Sequence, residues 1–152
     1  MSKPVFRDAV AADIAAILAL SDAGRPAGAA PVTSDAGDPA YAAALNRIAA
    51  DPNNRLIVME RGGEIVGTLQ ITLIPGLTRC GLTRGLLENI HVRPDCRGQG
   101  LGSALVGWAI GQCRDAGCGL IQLTSDKRRP DAHRFYGSLG FEATHEGFKL
   151  VL

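Results

Sequence analysis

Two periods alternate along this chain, and their order sets the architecture. "KPVFRDA", residues 3–9, predicts a short first strand. Ile14, Ile17 and Leu18 then recur at helical spacing up to Gly24. Residues 24–39, "GRPAGAAPVTSDAGDP", carry no period at all, which predicts a long loop of the kind that often serves as a lid or mobile segment. A second helix is expected from about Pro39 to Ala50, stopping near "DPNN". Two β-rich runs flank "RGG", so Arg55–Glu60 and Glu64–Ile74 are expected to form an antiparallel hairpin.

The polar stretch "GLTRCGLTRG" leads to a fourth strand, "LLENIHV", which "RPDCRGQG" interrupts. Alternation places residues 86, 88, 90 and 92 of that strand on one face. A helix over Leu101–Ala116 follows, then "CGLIQLTS" as a fifth, buried strand and "RPDAHRFYGSLG" as a short helix closed by Gly140. "FEATHEGFKLVL" predicts one or two final strands. The pattern gives one α/β domain over residues 1–152, with a mixed, mostly antiparallel sheet of six to seven strands and about four helices.

Composition narrows the functional classes. The 46% hydrophobic and 20% charged residues are ordinary for a globular chain. A formal net charge of +1 argues against bulk attraction to nucleic acid or to an acidic membrane surface. No apolar run has the length of a membrane span, and "MSKPVFRDAV" lacks the apolar core of a signal peptide. Cys80, Cys96, Cys113 and Cys118 form no CxxC pair and have no His at zinc spacing, so free thiols in a reducing cytosol, and no metal, are expected. The chain is read as cytoplasmic.

"RGQGLGSALVGWAI" packs three glycines into six residues and then turns into an apolar helical run. Glycine costs about 1 kcal/mol inside a helix, so bare backbone must serve a purpose here. Uncovered N–H groups, the positive end of the helix dipole and Arg97 together make an anion site, most naturally for phosphate. A P-loop fails, because Leu101 and Gly102 follow Gly100 in place of Lys-Ser/Thr. A dinucleotide fingerprint fails too, because Ser103 and Leu105 stand where its last glycine belongs. A tight turn shaped by glycines alone remains open on this pattern.

"VRPDCRGQGLG" resembles the signature of the GCN5-related N-acetyltransferase superfamily, Arg/Gln-x-x-Gly-x-Gly/Ala, with Arg97, Gly100 and Gly102 in its positions. The superfamily's later pattern, Ala-x-x-x-Tyr-x-x-x-Gly-Phe, is matched by Ala132, Tyr136, Gly140 and Phe141. The resemblance implies a sheet splayed between strands 4 and 5 to admit acetyl-CoA. It implies that Arg97, Gly98, Gln99, Gly100, Leu101, Gly102 and Ser103 cradle the pyrophosphate, and that the backbone of Ile90, His91 and Val92 pairs with the pantetheine arm. Arg129 stands where relatives often carry a cofactor-contacting Asn, and is assigned to a phosphate. Family members often pair, so a homodimer is a further expectation of the resemblance.

Acetyl transfer to an amine sets chemical requirements. An alkyl ammonium with a pKa of about 10.4 is under about one part in a thousand neutral at pH 7, so a base must take a proton. Glu88 is the candidate, being a carboxylate between Leu86 and Ile90 on a face expected to be covered. Tyr136 is the candidate acid for the departing thiolate, at the position the resemblance gives it. His133 and Trp108 read as surface and core residues, and nothing near Cys96 activates it, which favours direct transfer.

Lys127, Arg128 and Arg129, with Arg79 and Arg84, suggest a basic rim suited to an acidic group on the substrate. "DAHRFY" followed by Gly-Phe and Thr-His looks like the aminoalkylphosphonate N-acetyltransferases, a likeness confined to the last third. The expected activity is transfer from acetyl-CoA to a small-molecule primary amine. A peptide or protein acetyltransferase and a non-catalytic acyl-CoA sensor are the competing readings.

Overall fold

The computed structural model describes residues 1–152, and its frame is one five-stranded sheet. The β-rich runs flanking Gly62-Gly63 pair as expected, β2 (Asn54–Arg61) against β3 (Glu64–Ile74). Next to β2 lies β1 (Val5–Asp8), and β4 (Arg84–Val92) pairs with the far side of β3, all antiparallel. The last strand, β5 (Leu120–Gln122), joins β4 in parallel, so the order is β1-β2-β3-β4-β5.

Helices cover both faces. A 3₁₀ turn, Ala11–Asp13, runs into α1 (Ile14–Ala23), and α2 (Pro39–Ala50) starts where the Asp38 carboxylate accepts from the Ala40 N–H and Pro39 opens the first turn. A four-residue turn, α3 (Thr78–Gly81), sits in the polar stretch before β4, with Arg79 and Cys80 in the left-handed region at φ of 54° and 58°. On the opposite face lie α4 (Leu101–Asp115) and the short α5 (Pro130–Ser138). Leu101, Leu105, Val106, Ala109 and Cys113 form the inner stripe of α4, and they close on Ile57, Met59, Leu69, Ile71 and Leu87 from β2, β3 and β4. This is the main core, and most of its members are wholly excluded from water.

The sheet differs from the sequence expectation at its far edge. It has five strands, not six to seven, and five α segments where about four helices were expected, α3 being the additional one. β5 is three residues long and its Leu120 is 40% exposed, so it is not the buried strand expected. No strand forms after α5: Phe141 packs against the core, and residues 142–152 are exposed. Strand formation needs a neighbour's ladder as well as a β-rich pattern. Here the segment passes beyond the end of β5, with Gly147 next to Thr124 rather than beside the paired residues.

One polar clamp ties the first strand to the fold. The Arg7 guanidinium donates to both Asp13 carboxylate oxygens, at 2.7 and 3.0 Å, and its Nε donates to Glu60 of β2 at 3.0 Å. Asp13 is only 5% exposed and also accepts from the Val10 N–H. The Arg7 hydrogen bonds, helped by that N–H, hold the Asp13 carboxyl below its ordinary range against the opposing effect of burial. A depressed folded pKa means the contribution is present above the unfolded value and lost as pH falls through the folded one. Asp13→Asn should therefore lower the unfolding free energy by about 2 kcal/mol at neutral pH, less than for a fully buried pair because Arg7 is partly exposed. Urea denaturation across a pH series should show the two proteins converging below about pH 4.

Candidate functional site

The site begins with an irregularity in β4. Thr68 of β3 sits opposite His91, and Gln70 opposite Glu88, so β4 carries one residue more than its partner between those pairs. The extra residue is accommodated at Asn89, whose φ of 51° lies in the left-handed region that asparagine tolerates better than most residues. The bulge reverses the alternation. Leu87, Ile90 and Val92 all pack on the α4 core, whereas Glu88 and His91 share the other face. Residues 86, 88, 90 and 92 therefore do not share one face, and Glu88 is exposed rather than covered.

On its other side β4 separates from β5. Their pairing ends at Leu86 and Gln122, and residues 87–92 continue with a partner in β3 alone. The expected splay between strands 4 and 5 would start at this point, and the β5-side edge of Ile90, His91 and Val92 is left without a strand partner.

β4 then runs through the 3₁₀ turn Pro94–Cys96 into the glycines. Gly98 and Gly100 have φ of 73° and 75°, a conformation other L residues adopt only under strain, and a Cβ at either would meet nothing within 4 Å. The turn is thus open on its outer side. Gly100 caps α4, and the first helical bond runs from the Ala104 N–H to the Gly100 carbonyl. The N–H groups of Leu101, Gly102 and Ser103 have no helical acceptor. Arg97 is exposed and donates through Nε to the Val92 carbonyl at 3.3 Å, while Gln99 folds back onto the Asp95 carbonyl.

Gly102 has a different task. A Cβ there would lie 3.2 Å from Phe135 Cζ, so its absence lets α5 approach α4. That approach positions Tyr136, which packs beside Phe135 and edge-on to Phe141 and is half-buried. Burial pushes its phenol above the usual value, with the Arg129 charge pulling the other way. A phenol held protonated can donate.

Arg129 caps α5 and is felt by His91 as well. Burial lowers the His91 pKa first, and the charges of Arg129 and Arg97 lower it further, so the imidazole is neutral at pH 7. Gly24, which follows α1, leans directly on this ring: a Cβ there would overlap His91 Nδ1. The structure thus brings together His91, Arg97, Gly98, Gly100, Gly102, Arg129 and Tyr136 around the cleft. The sequence reading assigned His91 through its backbone and missed its side chain, Gly24 and the bulge at Asn89. An Asn within "LLENIHV" was the one available signal.

The basic rim is weaker than its sequence suggests. Arg128 is bound at 2.8 Å by Asp126, whose carboxyl it holds well below the usual range, and Arg84 points to Gln122. His133 Nε2 lies 2.9 Å from the Asp126 carbonyl on the surface. Trp108 stacks on Phe6 under Arg55 and belongs to the core. All four cysteines are free thiols. The electrostatics give a direct check: by NMR titration the His91 ring should titrate below the ordinary 6.5, and Arg129→Gln should raise it only part of the way back, because burial is the larger cause.

The sequence model of the Acetyltransferase (GNAT) family matches residues 15–141. The aminoalkylphosphonate N-acetyltransferase of Salmonella typhimurium is 36% identical over 92 residues, 60% of this chain and 59% of that protein. The glucosamine 6-phosphate N-acetyltransferase of Trypanosoma brucei brucei is 37% identical over 91 residues, 59% of each. The chain thus spans about three fifths of the length of these curated relatives, 59% in each case. A solved structure from Bacillus halodurans C-125, described as a transcriptional regulator, superposes with a TM-score of 0.90 at 42% identity, covering 99% of this chain and 100% of that one. A bulged β4 splayed from β5, a glycine turn opening α4, and a family match running from α1 to the end of the tyrosine motif agree: the chain belongs to the acetyltransferase (GNAT) family.

Proposed function

We propose that this chain is an N-acetyltransferase that moves an acetyl group from acetyl-CoA directly to the primary amine of a small molecule. The observation that carries the reading is the open, left-handed Gly98–Gly100 turn at the head of α4, with α5, the helix that carries Tyr136, packed onto α4 through Phe135 at Gly102. Relatives named as acetyltransferases of an aminoalkylphosphonate and of glucosamine 6-phosphate support the small-molecule class.

The residues present suit acetyl-CoA. The outer side of the glycine turn is open, unpaired N–H groups of the first α4 turn favour an anion, and Arg97 adds a cation with most of its donors unspent. Arg97, Gly98, Gln99, Gly100, Leu101, Gly102 and Ser103 would hold the pyrophosphate, and Ile90, His91 and Val92 would line the pantetheine arm. Arg129, at the start of α5, adds positive charge that is felt at His91. Acetyl-CoA, when bound, supplies the acetyl group as an activated thioester.

The remaining work falls to this chain's side chains. Glu88, exposed on the same face as His91, takes the ammonium proton through water. The Tyr136 phenol, kept protonated by burial, holds a proton for the departing sulfur. A backbone N–H of the bulged strand, at Ile90 or Val92, polarises the thioester carbonyl.

Thiol release from acetyl-CoA across a panel of amines tests the reading. Tyr136→Phe should lower kcat about a hundredfold and leave acetyl-CoA affinity unchanged. Gly100→Val should do the opposite, weakening acetyl-CoA binding measured by calorimetry, because a branched side chain is strained at that φ. Unchanged turnover in the tyrosine variant would remove Tyr136 from the chemistry.

A further inference from the structure

The face of the sheet opposite the main core is not closed. A cavity of about 210 Å³ lies between α1, α2 and the strands, reaching His91 and Asn89 at the β4 bulge. Ile17 and Leu18 of α1 and Leu45 and Ile48 of α2 wall it, whereas its polar end is Gln70, Asn89 and His91. The cavity opens to solvent, and much of its wall is hydrocarbon, which a ligand with an apolar body would cover.

The lining chemistry is one-sided. No Lys or Arg contributes to it. The charges that act on His91, Arg129 and Arg97, belong to the α5 cap and the glycine turn, outside the cavity. Gln70 commits one amide N–H to Asn54 and keeps its oxygen as an acceptor, and the neutral His91 ring offers an unprotonated nitrogen as a second one. The Thr68 hydroxyl is already committed to the Ile57 carbonyl. The remaining polar lining, Ser21, Tyr41 and Asn89, is uncharged, and with the acceptors at the β4 end and hydrocarbon over most of the wall it suits an amine N–H on an apolar body. A phosphonate or phosphate would be taken from water with no cation to meet it.

Building on the acetyltransferase reading above, we infer that the acceptor is a primary amine on a compact, uncharged apolar body, an aryl-alkyl or branched alkyl amine, held between α1 and α2. An apolar cavity of about 150 Å³ can hold benzene, so about 210 Å³ is room for one ring or a short branched chain. This substrate class differs from those named for the relatives, whose acceptors bear phosphonate or phosphate.

The test compares 2-phenylethylamine and 3-methylbutylamine with 2-aminoethylphosphonate and glucosamine 6-phosphate. The apolar amines should show kcat/KM at least about tenfold higher, rising about fourfold with each buried methylene until the cavity is full. Ala44→Phe, which fills the cavity from α2, should raise their KM about tenfold or more with acetyl-CoA affinity unchanged, circular dichroism confirming the fold. Higher kcat/KM for the anionic amines, or an unaltered KM in that variant, would overturn the inference. A second readout is independent of turnover: 2-phenylethylamine added to the wild-type protein without cofactor should perturb the NMR signals of His91 and the Ile17 methyls. Absence of that perturbation overturns the inference. Perturbation without acetylation of any amine sinks the acetyltransferase reading and keeps the ligand class.

Discussion

One residue too many in β4 governs the site. The bulge at Asn89 lets Leu87, Ile90 and Val92 all serve the α4 core, so the strand is anchored on one face along its length. The same irregularity delivers His91 to the opposite face, and beyond Leu86 the strand no longer pairs with β5. A regular strand bound on both edges would leave no cleft for a ligand beside its backbone. Bulges bend and twist the strand that carries them, and here the bend occurs just before the chain enters the glycine turn.

The glycines around this strand perform distinct services. Gly98 and Gly100 supply a left-handed backbone path whose outer side is open, and most residues with a Cβ take that path only under strain. Gly102 and Gly24 are about proximity. The first lets Phe135 and hence Tyr136 come close to α4, and the second lets the end of α1 rest on the His91 ring. Two flanking elements, α1 and α5, are thereby referenced to the same short stretch of chain, which is how residues far apart in sequence converge on one cleft.

Much of this was legible beforehand where the physics is local. The hairpin β2–β3, α2 with its Asp-Pro start, α4 and the glycine turn all follow from period, capping and turn chemistry. The misjudged elements depend on partners. "FEATHEGFKLVL" has the pattern of a strand, but pattern supplies only propensity, and in this fold the segment runs past the three paired residues of β5. Leu120 is exposed for the same reason, lying at an edge with no strand outside it. The face assigned to Glu88 failed because alternation assumes a regular strand, and a single residue in the left-handed region breaks the count. The side chain of His91 was invisible because its neighbours, Gly24 and Arg129, lie far away in sequence.

The two faces of the sheet divide the duties of the protein. On the α4 side Ile57, Met59, Leu69 and Leu105 are almost wholly excluded from water, and the packing there fixes the strands that carry the site. On the α1–α2 side only a few residues reach that degree of burial, a cavity remains, and the Arg7–Asp13–Glu60 clamp ties the start of the helical layer to β1 and β2. That clamp restrains the layer by polar contacts at its edge and leaves the interior unfilled. A helical layer held at its border can yield to an incoming ligand by small helix shifts, whereas the α4 core cannot yield without moving β4. The two faces thus differ in kind: α5 and its Tyr136 pack against the tightly filled α4 side, whereas Glu88 and His91 stand on the α1–α2 side, where the layer can adjust.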